Sequence, residues 1–246
     1  MKAMVLAAGL GTRLRPLTDS RPKALMEIDG RTLLEITLLR LRASGVREVI
    51  VNVHHFADMV VAYLAAKQNF GMRIEISREE VLLDTGGGLK KAAWFFLEDS
   101  RWSDEPFLLH NVDVLSNIDL RQMVRFHSEH QALVTLAVQR RQSSRYLLFD
   151  QQEMLCGRRF EREQRTELTR PGEPLQALAF CGIHAISPRL LEMMTEGGGV
   201  FSIIETYVRL AARSERIVAY RADEYYWRDL GTMESLQEAA QDLQRG

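Results

Sequence analysis

The sequence predicts an α/β fold, with a Rossmann-like mixed and mostly parallel sheet, helices on both faces and a small antiparallel lobe. Two patterns support this prediction. Apolar runs typical of buried strands alternate with amphipathic helical patterns in the order βαβαβαβ, and the later part of the chain changes to short extended pieces. With 246 residues and 46% hydrophobic content, the chain can bury one large core, so we expect a single domain over residues 1–246.

The first half supplies the alternating pattern. Residues 3–8 form a continuous apolar run, which is typical of a strand buried on both faces. Leu34, Leu38 and Leu41 recur at helical spacing before Gly45, which predicts a helix that stops there. The predicted elements are strands over residues 3–8, 48–53, 73–77 and 107–111 and helices over residues 33–44, 56–67 and 88–97. Sheets of this kind bind ligands beyond the carboxyl ends of their strands.

The second half, residues 132–246, is predicted to be more antiparallel. Asp119 can cap a helix that runs to about residue 130, and residues 132–140 then alternate between polar and apolar positions. Residues 157–173 are crowded with charges of both signs, which predicts a solvated and mobile excursion. The remaining predicted elements are extended pieces over residues 146–149, 153–156, 216–221 and 225–227 and helices over residues 188–195, 202–213 and 232–244.

Composition narrows the class of protein. A formal net charge of -1 offers no field that would gather nucleic acid. Cys156 and Cys181 stand far apart, so neither a disulfide framework nor a cysteine zinc site is predicted. The N-terminal apolar run is too short for a signal peptide or a membrane span, which favours a cytoplasmic protein without a membrane partner. We interpret one basic cluster as a solvated patch rather than an RNA site: Arg140, Arg141 and Arg145.

The loop after the first strand carries the strongest chemical signal. Gly9 and Gly11 allow backbone N–H groups to turn toward a phosphate, because no Cβ blocks the approach. Arg13 and Lys23 add positive charge, and triphosphate chemistry depends mainly on positioning and charge neutralisation. A dinucleotide fingerprint would need a third glycine where Leu14 stands, and the Gly-Lys-Ser/Thr of a P-loop is absent. The loop therefore predicts a different kind of triphosphate site.

Asp113 is a candidate metal ligand by its position, whereas the same role for Asp229 is implied only by a family resemblance. Asp113 follows the predicted strand over residues 107–111, and a carboxylate at the end of a buried strand can bind Mg²⁺. Capping of the next turn is the alternative role for Asp113. Asp229 precedes Gly231 and Thr232, which also fit a turn and an N-cap for the last helix.

Residues 6–18, with Pro22 and Lys23, resemble the N-terminal signature of the sugar-1-phosphate nucleotidyltransferases, whose fold is the nucleotide-diphospho-sugar transferase type. The resemblance extends to about residue 236. It implies an enzyme that joins a nucleoside triphosphate to a sugar 1-phosphate and releases pyrophosphate. It also implies that residues 1–131 form a nucleotide-binding half and residues 132–246 a half that binds the sugar and completes the metal site.

The same resemblance implies roles for individual residues. Arg13 would contact the β and γ phosphates, Lys23 would stabilise the phosphates at the reacting end, and Asp113 and Asp229 would share one Mg²⁺. The implied nucleotide-binding residues are Leu6, Ala7, Ala8, Gly9, Gly11, Thr12, Thr85, Gly86 and Gly87, the last three within a glycine run expected to open a helix beside the base. The implied sugar-phosphate-binding residues are Asn111, Gly182 and Trp227, although a glycine within a strand also fits a bulge.

Two departures from the family pattern concern the acceptor. Val112 stands where many relatives have glycine, and its side chain would either narrow the sugar side or turn into the core. Residues 154–179 show no clear match for the glutamate and lysine with which larger members hold the sugar. We therefore expect an unusual acceptor.

Several functions stay open. The glycine run after Asp84 resembles N-acetylmuramate-1-phosphate uridylyltransferases, and mannose- or heptose-1-phosphate guanylyltransferases are the alternative. A noncatalytic nucleotide-binding regulatory protein is an alternative of another class, against which the retained cations and aspartates count. A Rossmann dehydrogenase is disfavoured by Leu14. The expected partners are a nucleoside triphosphate and a sugar 1-phosphate, with the chain as a monomer or homodimer.

Overall fold

The computed structural model describes residues 1–98, 105–197 and 199–245, without the side chains of residues 243–245. Its strands are β1 (Lys2–Leu6), β2 (Glu27–Ile28), β3 (Arg31–Thr32), β4 (Glu48–Val53), β5 (Arg73–Arg78), β6 (Phe107–Asn111), β7 (Val114–Ser116), β8 (Val134–Gln139), β9 (Arg145–Phe149), β10 (Leu155–Phe160), β11 (Arg165–Leu168), β12 (Gln176–Ile186), β13 (Ile217–Arg221) and β14 (Trp227–Asp229). Its helices are α1 (Leu33–Ala43), α2 (Ala57–Ala66), α3 (Asp84–Lys91), α4 (Ala93–Leu97), α5 (Leu120–Glu129), α6 (Arg189–Met193), α7 (Ile203–Ala211) and α8 (Met233–Arg245).

The parallel part of the sheet is built around β1. This strand pairs in parallel with β4 on one side and with β6 on the other, and β5 pairs in parallel with β4. Ala3 and Val5 pack on one face of the sheet and Met4 on the other, and all three are fully buried. Each face of the sheet thus has its own hydrophobic core, one containing Ala3 and Val5 and the other containing Met4. The apolar run of β1 is continuous because helices cover this strand on both faces. The predicted class, a mostly parallel sheet between helices, is confirmed.

The antiparallel part continues the same sheet. β12 pairs antiparallel with β6, β8 and β9, and β10 and β11 extend the edge beyond β9. β13 pairs in parallel with β8. The register of β12 against β8 shifts between Phe180 and His184, and Gly182 lies within this irregularity with a φ of 72°. The bulge expected as an alternative for this glycine is present.

Helix positions follow the two cores. The core that contains Ala3 is covered by α1, α2, α5 and α8, whereas the core that contains Met4 is covered by α3, α4, α6 and α7. Asp119 caps α5 by accepting from the backbone N–H groups of Arg121 and Gln122, as predicted. Among the described residues, no helix is both long and apolar enough to span a bilayer.

One sequence prediction of local structure is wrong, and one segment has more regular structure than was predicted. Residues 157–173 include the hairpin of β10 and β11, across which opposite charges face each other, as in the 2.5 Å ion pair of Arg158 and Glu167, and many of its residues are exposed as predicted. The helix predicted over residues 88–97 is two helices, and α3 starts at Asp84, so the glycines lie inside it. Trp94 on α4 is 48% exposed.

Candidate active site

A cavity of about 430 Å³ lies at the carboxyl ends of the parallel strands. Leu6 ends β1 and Asn111 ends β6. Asn52 is the second-last residue of β4, and Glu79 directly follows β5. This is where an α/β sheet places its ligands. The cavity is lined by Leu6, Ala8, Gly9, Gly11, Thr12, Arg13, Lys23, Asn52, Glu79, Leu82, Asp84, Thr85, Asn111, Val112, Asp113, Val200 and Gly231.

The glycine loop is anchored on one side and open on the other. Gly11 has a φ of 64°, and a Cβ on it would lie 2.9 Å from Thr18 Cγ2 and 3.0 Å from Lys23 Cβ. Its carbonyl oxygen accepts from Thr18 Oγ1 at 2.9 Å and from the backbone N–H of Leu14 at 2.8 Å. A Cβ on Gly9, in contrast, would have no neighbour within 4 Å. The backbone near Gly9 is therefore accessible to a ligand, on a loop whose base is fixed.

Each predicted cation lies beside a predicted metal ligand. Lys23 Nζ donates to Asp113 Oδ2, and the lysine side chain is only 9% exposed. Arg13 Nη2 lies 3.8 Å from Asp229 Oδ1. β7 and β14 bring the two aspartates to the same place, since Asp229 pairs with Val114 and the backbone N–H of Leu230 donates to Asp113 O at 2.8 Å. The structure thus joins residues from the two ends of the chain.

The two carboxylates fit a hard divalent cation. Carboxylate oxygens are the protein ligands that Mg²⁺ prefers, and an Mg²⁺ site commonly has one or two of them, with water and substrate phosphates as the other ligands. In the described parts of the chain, no group of three or more His, Cys, Asp or Glu residues could hold a metal. In the structure, Asp113 is paired with Lys23 and Asp229 with Arg13, so an Mg²⁺ ion would bind beside these cations or displace them.

A buried polar pair that the sequence analysis missed supports the far wall of the cavity. Asn52 Oδ1 accepts from the backbone N–H of Ala7 at 2.7 Å, and Asn52 Nδ2 donates to Glu79 Oε1 at 2.7 Å. Glu79 Oε2 accepts from the backbone N–H of Leu83 at 3.0 Å. Asn52 could have been found in the sequence, because it is a polar residue within the otherwise apolar end of the strand over residues 48–53. The hydrogen bond from the Ala7 N–H to Asn52 Oδ1 anchors the start of the glycine loop, and Ala7 is not among the residues that line the cavity.

The glycine run has a packing role that the sequence did not predict. The backbone N–H of Gly86 donates to Phe201 O at 2.9 Å, and a Cβ on Gly86 would collide with the Phe201 ring. A Cβ on Gly87 would lie 2.5 Å from Gly199 O. Gly86 and Gly87 therefore hold residues 199–201 against α3 and do not line the cavity. Thr85 does line it, while its Oγ1 accepts from the backbone N–H of Ile203.

The predicted sugar residues form a second wall. A Cβ on Gly182 would lie 2.9 Å from Asn111 Nδ2 and from Val114 Cγ2, so β12 approaches the end of β6 as closely as a glycine allows. Trp227 Nε1 donates to Cys181 O at 2.7 Å. Asn111 lines the cavity, whereas Gly182, Trp227 and Asp229 are not among its lining residues. Val112 is buried in the core that contains Ala3, which is one of the two positions expected for its side chain, and the residue also borders the cavity.

One residue of the predicted solvated patch belongs to this wall. The Arg141 guanidinium lies 3.7 Å from the centroid of the Trp227 ring, and Arg141 Nη2 donates to Phe180 O at 2.7 Å. Arg140 and Arg145 are exposed, as predicted. The interpretation of Arg141 as a solvated surface charge is therefore wrong, because the strand that carries Trp227 gives it an aromatic surface to stack on.

A buried histidine fixes the end of β6. His110 Nδ1–H donates to Asn111 O at 2.7 Å, and its Nε2 accepts from Arg40 Nη1 at 3.1 Å. Burial, together with the Arg40 charge, lowers the pKa of His110 to about 3. The ring stays neutral at physiological pH and can therefore donate and accept at once. This arrangement positions the backbone that leads to Asp113.

Comparison with known proteins is consistent with this geometry. A sequence profile described as nucleotidyl transferase matches residues 2–246. An N-acetylmuramate alpha-1-phosphate uridylyltransferase of Caulobacter vibrioides is 57% identical over 93 residues, which are 37% of this chain and 38% of that protein. A mannose-1-phosphate guanylyltransferase of Mycobacterium tuberculosis is 30% identical over 245 residues, which are 99% of this chain and 65% of that protein. The matched part is thus less than two thirds of the length of either relative.

Solved structures show the same fold. A UDP-glucose pyrophosphorylase complexed with UDP-glucose superposes with a TM-score of 0.75 at 18% identity, covering 99% of this chain and 98% of that one. HddC from Yersinia pseudotuberculosis superposes with a TM-score of 0.73 at 18% identity, covering 98% of this chain and 99% of that one. The nucleotide-diphospho-sugar transferase fold predicted from the sequence is confirmed.

Proposed function

Because the chain belongs to the nucleotidyl transferase family, we propose that it transfers a nucleotidyl group from a nucleoside triphosphate to a sugar 1-phosphate and releases pyrophosphate. The observation that carries this proposal is the meeting of the glycine loop with two pairs of opposite charges, Lys23 with Asp113 and Arg13 with Asp229, at the carboxyl edge of the sheet. A triphosphate needs such a site, since its chemistry depends on positioning and charge neutralisation.

The residues of the site match the steps of an in-line displacement. The phosphate oxygen of the sugar attacks the α-phosphorus, the bond to the leaving pyrophosphate breaks, and no covalent protein nucleophile is required. Lys23 and Arg13 would leave their carboxylates for phosphate oxygens as the triphosphate binds, and the fixed charges would then stabilise the transition state. An Mg²⁺ ion held by Asp113 and Asp229 would neutralise further phosphate charge.

For the substrates, we favour UTP and N-acetylmuramate 1-phosphate. The support is the 57% identity to the Caulobacter relative, although it covers only 93 residues. GTP and mannose 1-phosphate are the alternative, supported by an alignment over 245 residues at lower identity. We also propose a cytoplasmic location, because the buried Cys156 and Cys181 are free thiols, as is usual in a reducing compartment.

The test is pyrophosphate release by the purified protein with Mg²⁺. Each of four nucleoside triphosphates is combined with N-acetylmuramate, N-acetylglucosamine, mannose, heptose and glucose 1-phosphates and with phosphocholine. We expect release with UTP and N-acetylmuramate 1-phosphate, whereas release with GTP and mannose or heptose 1-phosphate would select the alternative. Nucleotide binding without release from any pair would favour a regulatory protein, and the absence of nucleotide binding would reject the proposal.

Variants of the two aspartates make the test specific. Asp113→Asn and Asp229→Asn should each reduce the rate by about 100-fold or more, because each removes a charge from the reacting phosphates. Asp58→Asn is the matched control, since Asp58 lies on α2, its 91% exposed side chain pairs with Arg78, and neither residue lines the cavity. A reaction that survives both substitutions would contradict the assigned carboxylate roles.

A further inference from the structure

Arg141 is held rigidly on the wall formed by β12 and β14. Its guanidinium lies 3.7 Å from the centroid of the Trp227 ring and donates to Phe180 O. The indole is itself fixed, because Trp227 Nε1 donates to Cys181 O, immediately before Gly182. A side chain that is stacked and hydrogen-bonded in this way has already lost most of its conformational freedom, so a ligand would bind it at little entropic cost.

Arg141 has no carboxylate in direct contact within the described part of the chain, although the charge of Asp229 is near enough to favour the charged guanidinium. None of the ion pairs there includes Arg141, and its Nε is buried without a hydrogen-bond partner. Arg141 Nη1 has only a long contact of 3.4 Å to Gln142 O. Burial lowers the pKa of Arg141 from its usual value, although an arginine remains charged. A half-buried cation without a carboxylate in direct contact is costly, and the influence of Asp229 places this cation close to the proposed reaction site.

The surroundings of Arg141 indicate which substrate brings the anion. Trp227 lies two residues before Asp229 on β14, and Gly182 packs against Asn111 at the cavity. The glycine loop, with Gly9 and Gly11, comes from a different part of the sheet. Arg141 therefore belongs to the wall proposed for the acceptor, not to the loop proposed for the triphosphate.

We propose that Arg141 is a specificity-determining residue, whose guanidinium binds an anionic oxygen of the acceptor. This proposal rests on the proposed function. The anionic oxygen belongs either to the phosphate that every sugar 1-phosphate carries or to a carboxylate on an acidic sugar, and both satisfy the planar N–H donors of a guanidinium. The bond would replace the glutamate and lysine contacts for which residues 154–179 offer no clear match.

The experiment measures acceptor binding directly, so that it does not depend on turnover. Calorimetric titrations use the protein with Mg²⁺ and a non-hydrolysable analogue of UTP or of GTP, whichever binds. The acceptors are N-acetylmuramate 1-phosphate, which carries a carboxylate, and N-acetylglucosamine and mannose 1-phosphates, which do not. The variants are Arg141→Gln and Arg141→Lys, with Arg140→Gln as the matched control, since Arg140 is an exposed neighbour that loses the same charge.

Arg141→Gln should raise the Kd of the acceptor by about 10- to 100-fold, the effect of losing a hydrogen bond between charged groups, and leave the Kd of the nucleotide analogue within twofold. Arg141→Lys should recover part of the affinity, because it keeps the charge and loses the planar donors. Arg140→Gln should match the wild-type protein. A loss confined to N-acetylmuramate 1-phosphate identifies the carboxylate as the anion, and an equal loss for all acceptors identifies the phosphate.

Other outcomes would overturn the proposal. They are wild-type acceptor affinity in Arg141→Gln, an equal loss of nucleotide affinity, and failure of the wild-type protein to bind any acceptor while it binds nucleotide. A thermal melt reports whether Arg141→Gln folds. If it does not, Arg141→Lys decides, and an acceptor Kd equal to that of the wild-type protein contradicts a role for the planar donors. Acceptor binding without pyrophosphate release would reject the proposed function and leave this inference intact.

Discussion

The two walls of the candidate site are built in different ways. The loop side consists of Gly9, Gly11, Arg13 and Lys23, all within one short stretch of chain after β1. The strand side consists of Asn111, Arg141, Gly182 and Trp227, which come from the end of β6, from the loop after β8, from β12 and from β14. Local backbone geometry forms the first wall, whereas long-range strand pairing forms the second. A substitution on the loop side should therefore affect phosphate chemistry, and one on the strand side should affect the choice of acceptor.

The largest effect expected from this comparison is that of Lys23→Met, because Lys23 belongs to the loop side and contacts Asp113 next to the strand side. Loss of its charge should lower kcat by about 100- to 1000-fold, as for other groups that stabilise developing charge. Lys67→Met is the control, since Lys67 follows α2 outside the cavity. Steady-state kinetics for both substrates provide the measurement. A kcat within tenfold of the wild-type value would show that Lys23 only holds Asp113 in the free protein.

The sequence predicted which residues of the loop side line the cavity, namely Gly9, Gly11, Arg13 and Lys23. The φ of Gly11 depends on residues near in sequence, so the motif contains information about its own backbone, whereas the contacts of Arg13 and Lys23 with Asp229 and Asp113 are long-range. The burial of β1 on both faces was predictable in the same way, from its continuous apolar run.

The strand side was predicted only in part, because its geometry depends on pairing between distant segments. The charges around Arg141 suggested a solvated patch, and no local signal placed Trp227 beneath it. The glycine run was also misplaced relative to its helix. Gly86 and Gly87 have low helix propensity, and only their close packing against residues 199–201 explains why α3 contains them.

The second expected effect tests the rigidity of the loop side. Gly11→Ala places a Cβ 2.9 Å from Thr18 Cγ2 and 3.0 Å from Lys23 Cβ, at a residue with positive φ. The backbone strain alone costs about 1–2 kcal/mol, and the displaced Lys23 should lower kcat as well. Gly30→Ala is the matched control, because Gly30 has a φ of 73° but open space around it. It should lose about 1–2 kcal/mol of unfolding free energy at unchanged kcat. Urea unfolding measures the free energy of unfolding, and steady-state kinetics measure kcat. Equal kcat values for the two variants would contradict the idea that the backbone at Gly11 positions Lys23.

The third effect tests the strand side. Trp227→Phe removes the N–H that donates to Cys181 O and weakens the ring on which Arg141 stacks. The acceptor KM should rise about tenfold, the combined effect of one hydrogen bond and part of one cation–π interaction, while the KM of the nucleoside triphosphate stays unchanged. Trp94→Phe replaces an exposed tryptophan on α4 and should change neither KM. Equal increases in both KM values would mean that the two walls are not independent.

The smallest effect concerns the folding of the strand side in acid. His184 lies on β12 two residues after Gly182, and its Nδ1 is 2.9 Å from the Tyr207 hydroxyl. Burial lowers the pKa of His184 from the ordinary 6.5 to about 3, with a smaller contribution from His110. His184 therefore takes up a proton near pH 6.5 in the unfolded chain but stays neutral at that pH in the folded chain. The stability that its neutral form contributes is complete above pH 6.5 and is lost as the pH falls toward 3.

Replacing His184 should therefore flatten the dependence of stability on pH. In His184→Gln, the loss of unfolding free energy between pH 6.5 and 5.5 should be smaller than in the wild-type protein by about 1 kcal/mol, since one pH unit is worth roughly 1.4 kcal/mol for each proton taken up. Urea unfolding at half-unit intervals measures this slope separately from any uniform destabilisation. His55→Gln, which replaces an exposed histidine after β4, should keep the wild-type slope. An unchanged slope in His184→Gln would mean that His184 takes up its proton in the folded chain as well, and that β12 is less tightly closed than its packing against β6 and β8 requires.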